Sequence, residues 1–256
     1  MKKKIFIFFI LIMFIGINLK GNQSYTIELK KKIPDYLKNL KKIAQDTNNN
    51  NETFEELING ASSASMLFQL VNKKSEKVKI LSLGYTIADK LMKKYPQKSE
   101  GYHYGAFLLG MIGVYKGPHF ILNYLPKIEK MALKGLKLNP NFHHGSTYVT
   151  LCATYFESPG FPLSIGNIYK AKKYCQFSIK NFPDNCTAYL YLASIYDTLK
   201  LKDNALETLK IGEKNCAPVD NSLEEKVWYE EDYSALHQMI NKLIKGESIR
   251  HFMQER

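Results

Sequence analysis

Tyr189-Leu190-Tyr191-Leu192-Ala193-Ser194-Ile195-Tyr196, then a short break at Lys200–Asp203, then Ala205 and Leu209, closed by Pro218, is the stretch that decides the fold. Tyr189, Leu192, Ala193 and Tyr196 fall on one helical face, and Ala205 and Leu209 repeat that spacing beyond the break. Bulky residues at helical spacing, with small ones where two helices would touch, describe an antiparallel pair. Such a pair cannot hide its apolar face alone, so it must stack on neighbours.

The unit recurs upstream between about Tyr102 and Pro218. Prolines close successive units at 96, 140, 183 and 218, spaced 44, 43 and 35 residues apart. Tyr102 and Tyr189 each lie six residues past such a proline, and Tyr148 lies eight past. The reading places helices over Ser99–Val114, Leu125–Leu138 (with Pro126 near its first turn), Phe142–Phe156 and Ile168–Phe182. Three helices precede the array, over Tyr25–Asp46, Glu52–Val71 and Ser75–Tyr95, the first two separated by the polar Asn48–Asn51. Ser222–Lys245 reads as a closing helix whose acidic residues, such as Glu224 and Glu230, face outward. No alternating apolar pattern bounded by tight turns appears, so the expectation is an all-α solenoid. Its parts are N-terminal helices at 22–98, the repeats at 99–218, and a capping helix and tail at 219–256.

The first 21 residues stand apart. Lys2-Lys3-Lys4 precede an unbroken apolar run, Ile5–Ile17, which is short of the roughly 20 residues a bilayer-spanning helix needs. This is the pattern of an export signal, with an uncleaved membrane anchor as the competing reading. No cysteine follows the run, so a lipid-modified amino terminus is not expected. Removing residues 1–21 takes away four lysines and lowers the formal net charge from +12 to +8. The chain has only two arginines, Arg250 and Arg256. Base and phosphate recognition leans on arginine forks, so nucleic-acid binding is disfavoured and a solvated lysine surface is expected.

Motifs for chemistry are missing. His103, His119, His143, His144, His237 and His251 make no i, i+4 pair, and adjacent His143-His144 would diverge by about 100° on a helix. There is no phosphate-binding glycine loop, nucleophile elbow or HExxH pattern. No catalytic residue, metal or cofactor is expected. Export would place Cys152, Cys175, Cys186 and Cys216 under oxidising conditions. Cys152 and Cys175 fall on the two helices of one hairpin, and Cys186 and Cys216 bracket the next. Two readings stand: bridges 152–175 and 186–216, or four small buried thiols. The Ser158–Gly166 loop, with two prolines and two glycines, is either a rigid connector or a lip over a pocket, and Phe161 needs somewhere to pack.

The pattern Tyr189-x-x-Leu192-Ala193-x-x-Tyr196 with Ala205 and Pro218 resembles the tetratricopeptide repeat (TPR), which implies a right-handed solenoid. Leu138-Asn139-Pro140, the Ser158–Gly166 loop and Lys170-Ala171 are also similar to the periplasmic T-component lipoproteins of tripartite (TRAP) transporters. The TPR resemblance implies a concave face lined by His103, Phe107, Val149, Ala153, Phe156, Leu190, Ser194 and Asp197, with Phe161 on the nearby loop. That lining lacks the Lys, Arg and Asn of carboxylate clamps; it suits an apolar peptide or helix, or equally a groove that the chain's own amino-terminal helices fill as core. The expected function is therefore an exported, periplasmic or envelope interaction scaffold, for a protein or peptide partner. The alternative is a transporter accessory subunit holding a small hydrophobic ligand in a tunnel lined by Phe107, Phe156 and Phe161.

Overall fold

The computed structural model describes residues 24–45, 52–218 and 222–255. The apolar leader at 1–21 and the Asn48–Asn51 linker lie outside them. Eleven helices run through the described residues: α1 Ser24–Gln45, α2 Phe54–Leu70, α3 Lys74–Lys94, α4 Glu100–Lys116, α5 Pro118–Leu138, α6 Ser146–Glu157, α7 Ile168–Asn181, α8 Cys186–Thr198, α9 Lys202–Asn215, α10 Leu223–Ile244 and α11 Phe252–Glu255. No strand occurs among them; one isolated backbone bridge links Gly160 and Gly166. The chain is an all-helical solenoid.

Each hairpin packs on the next with one repeating scheme. The pairs α4/α5, α6/α7 and α8/α9 lie back to back, and the second helix of each touches the first helix of its successor. α2 and α3 form a further hairpin stacked on α4 in the same manner. Close approach explains the small residues of α2: a Cβ on Gly84 of α3 would stand 2.3 Å from the Ala64 Cβ, so neither position has room for more.

The tyrosine six residues after a proline has a physical cause. The Tyr189 hydroxyl donates to the Pro183 carbonyl oxygen (2.9 Å) and the Tyr102 hydroxyl to that of Pro96 (3.2 Å). Each bond ties the start of a hairpin to the connection that precedes it. Tyr148 breaks the spacing because its connection is longer. His143, His144 and Gly145 take φ of 47°, 46° and 72° in succession, a left-handed turn before α6. The helix expected from Phe142 therefore starts at Ser146, and the two histidines sit on a turn, not on a helix.

A second boundary also moves. α5 begins at Pro118, not near Leu125, because Gly117 (φ 95°) ends α4 and Pro118 supplies a fixed φ at the first helical position. Pro126 thus lies inside the helix, where the Leu122 carbonyl loses its amide donor. Elsewhere polar side chains cap the helices. Thr53 and Glu56 form a reciprocal capping box on α2, and Asn167, Asn185 and Ser222 cap α7, α8 and α10.

The structure joins Cys152 to Cys175 (S–S 2.02 Å), stapling α6 to α7. It joins Cys186 to Cys216 across the open end of the α8/α9 hairpin, with Cα atoms 5.0 Å apart. α10 takes the place that the first helix of a further hairpin would occupy. It continues back across the array to touch α1 and α2 as well as α8 and α9. Val227 at its start belongs to the core around α2–α4, while Leu236, Met239 and Leu243 belong to the core around α8 and α9.

Candidate functional site

The residues expected on the concave face are mostly covered. The Trp228 ring of α10 sits edge-on against Phe107, 6.3 Å between centroids. Leu190, Ser194 and Asp197 are buried under the carboxy-terminal segment. The Asp197 carboxylate accepts from the Ser248 hydroxyl (2.6 Å) and the Ile249 amide (2.9 Å), and the Ser194 hydroxyl lies 3.4 Å from the Ile249 carbonyl oxygen. Val149 is also buried, and Ala153 is half-buried. The protein thus fills its own inner face at these points. The physical reason lies in α10 and the tail, whose apolar residues reach across the hairpins instead of capping only the last one.

His103 goes elsewhere again. It sits between α4 and the turn before α6, with Nδ1 3.0 Å from the Thr147 hydroxyl and its ring edge-on to Tyr104 and Phe142. Burial, with help from the nearby His143, pushes its pKa down to about 3, so it is neutral at ordinary pH. His143 Nε2 reaches Glu225 of α10 at 2.8 Å, and His144 Nδ1 reaches Asp184 at 2.5 Å. Both histidines act as clasps between the left-handed turn and its neighbours. The acidic start of α10 is therefore only partly solvent-facing: Glu225 pairs inward and burial raises the Glu230 carboxyl pKa. Among the described residues no group of His, Cys, Asp and Glu is arranged to hold a metal.

Phe107, Phe156 and Phe161 do not share a tunnel. Phe107 packs on Phe68 and Trp228, and Phe156 on Tyr191 of α8. Phe161 is 92% exposed and packs on nothing that hides it, contrary to expectation. The loop is cross-bonded instead. The Gly166 amide donates to the Pro159 carbonyl oxygen (2.9 Å), and Leu163 and Ser164 donate back to Gly160. A Cβ on Gly166 would collide with the Ser158 carbonyl oxygen at 2.0 Å, so glycine is required there.

An open cleft of about 390 Å³ lies beneath this loop. The ends of α6 and α8 (Tyr155, Phe156, Thr198) form one wall, and the loop from Ser158 to Asn167 forms another. Arg250 and His251 close it from the carboxy-terminal tail. The Tyr155 hydroxyl donates to Glu129, and the Lys170 ammonium lies 5.0 Å above its ring. The site thus has aromatic rings at its base, and Arg250, His251 and Glu157 are its ionisable lining residues. Sequence reasoning found Phe156 and the loop but missed Arg250 and His251. The scarcity of arginine was the available signal, since Arg250 is one of two in the chain.

No family model and no curated protein matches the sequence. Among solved structures, the chain is similar to a thermophilic TPR protein of Thermus thermophilus. The TM-score is 0.53 at 15% identity, over 83% of this chain and 97% of that one. At that identity the likeness is one of fold, and the fold is TPR-like.

Proposed function

We propose that the chain is an exported protein-interaction scaffold that seats a partner segment in the cleft between the Ser158–Asn167 loop and the carboxy-terminal tail. The observation that carries this reading is the cleft itself. It joins aromatic surface (Tyr155, Phe156) and one fixed cation, Arg250, with His251 and Glu157 beside them, in open volume, while much of the inner face is taken by α10 and residues 248–249. An aromatic floor beside the Arg250 guanidinium suits an extended segment with one apolar anchor and a carboxylate placed to meet that arginine. Export is supported by the basic-then-apolar leader and by the two cysteine pairs, which suit an oxidising compartment.

The test places a photo-crosslinking residue at Thr198 on the cleft wall. The reading expects a discrete adduct with an envelope protein that is lost in the Arg250→Glu variant. No adduct, or one indifferent to Arg250→Glu, refutes it. The alternative role as a transporter accessory subunit called for a closed apolar tunnel, and the three phenylalanines assigned to it point to separate places. Native mass spectrometry of the purified chain discriminates the two: a retained lipophilic molecule would favour the accessory subunit.

A further inference from the structure

Because the first helices of all hairpins run one way and the second helices return, the four hairpin turns share one edge of the solenoid. The end of α10 lies there too, since Lys202 Nζ at the start of α9 donates to the Gly246 carbonyl oxygen (3.1 Å). α1 points back to the same edge. Lys90, near the end of α3, bonds the Ile43 carbonyl oxygen and pairs with Glu52, both at 2.6 Å, which pins the end of α1 at the opposite edge. From there α1 packs back along α2 and α3. The start of α1 therefore lies on the hairpin-turn side.

Exposed apolar side chains concentrate on this edge. Among the described residues, five large apolar side chains are at least 60% exposed: Val114 (60%), Phe161 (92%), Leu163 (79%), Tyr169 (73%) and Ile244 (66%). All five lie in or beside a hairpin turn or at the end of α10. Phe161 and Leu163 cannot fold back, because the cross-bonded loop holds them away from the array. The accompanying charge is positive. Segments 71–77, 114–119, 157–170, 199–203 and 244–251 carry nine lysine or arginine residues against four acidic ones.

We propose that this edge docks on an anionic lipid bilayer, with Phe161 and Leu163 entering the acyl boundary and the basic residues lying at the headgroups. Rigid apolar tips on an edge whose charge is positive are what interfacial binding requires. The proposal does not depend on the cleft reading, although the Ser158–Asn167 loop and Arg250 belong to both.

The test uses the full chain carrying Phe161→Trp, with native Trp228, packed on Phe107, as the internal reference. A second variant, Ile211→Trp, places the probe on α9 toward the opposite edge. Each is mixed with vesicles of brominated phosphatidylcholine, with or without one-third phosphatidylglycerol. The expected result is loss of about half the added fluorescence at position 161 on anionic vesicles, with little loss at 211. Because residues 5–17 could hold the chain on vesicles by themselves, position, not binding, is the readout. Quenching at 161 no greater than at 211 overturns the proposal and leaves the edge to a protein partner. Equal quenching at 161 on neutral and anionic vesicles overturns the assignment of an anionic surface.

Discussion

Replacing His103 by Phe should reverse the order of stability as the pH falls. The imidazole is almost fully buried, and its pKa is pushed from 6.5 to about 3 by that burial and by His143. Between those values the unfolded chain holds a proton on His103 that the folded chain does not. The unfolded state then binds more protons, so the stability present above pH 6.5 is lost as pH drops toward 3. At 1.36 kcal/mol per pKa unit, moving from pH 7 to pH 4.5 removes roughly 2–3 kcal/mol through this one group. Phe keeps the ring contacts with Tyr104 and Phe142 but loses the bond to Thr147, a cost of about 1 kcal/mol. The wild type should therefore be the more stable at pH 7 and the less stable at pH 4.5, with the curves crossing at roughly pH 6. Other acid-sensitive groups, such as Glu52 with its pKa lowered by Lys90, are common to both proteins and cancel in the difference. Urea titrations followed by circular dichroism at half-unit pH steps provide the assay. Parallel stability curves from pH 7 to 4.5 would refute the assignment of His103 as a buried neutral imidazole.

Three further outcomes are expected. Reducing the Cys152–Cys175 and Cys186–Cys216 bridges, 23 and 30 residues apart in sequence, should cost about 3 kcal/mol each; calorimetry with and without reductant measures it, and an unchanged melting temperature contradicts it. Gly84→Ala brings a methyl against Ala64 and should destabilise by about 1–3 kcal/mol, whereas Gly110→Ala, with open space around it, should cost nothing or stabilise slightly. Leu108→Ala empties a fully buried position shared by α2, α3 and α4 and should cost about 2–5 kcal/mol in chemical denaturation.

The hairpins were legible because their cause is local. Tyr189, Ala193 and Gly212 must interlock wherever two helices cross, and prolines at 140, 183 and 218 stop helices whatever lies beyond. Cys152 and Cys175 could be placed on facing helices for the same reason. The inner face was not legible, because helical spacing shows which residues are apolar and not which helix covers them. Leu190, Ser194 and Asp197 have the spacing of an open groove, yet Ile249, more than 50 residues after Asp197, closes over them. The left-handed turn at His143–Gly145 also escaped, since non-glycine residues rarely adopt that conformation and sequence gives it little weight. The cleft was half visible. Its loop announced itself through proline and glycine, while Arg250 reaches it only through the tail's path along α8.

α10 and the tail close the stacked hairpins from within. Hydrogen exchange on the full chain tests this most directly. Amides of residues 226–243 and the Ile249 amide, bonded to Asp197, should be protected to a degree comparable with α4 and α8. If α10 and Ile249 exchange within seconds while α4, α6 and α8 stay protected, the inner face is open and the account is wrong.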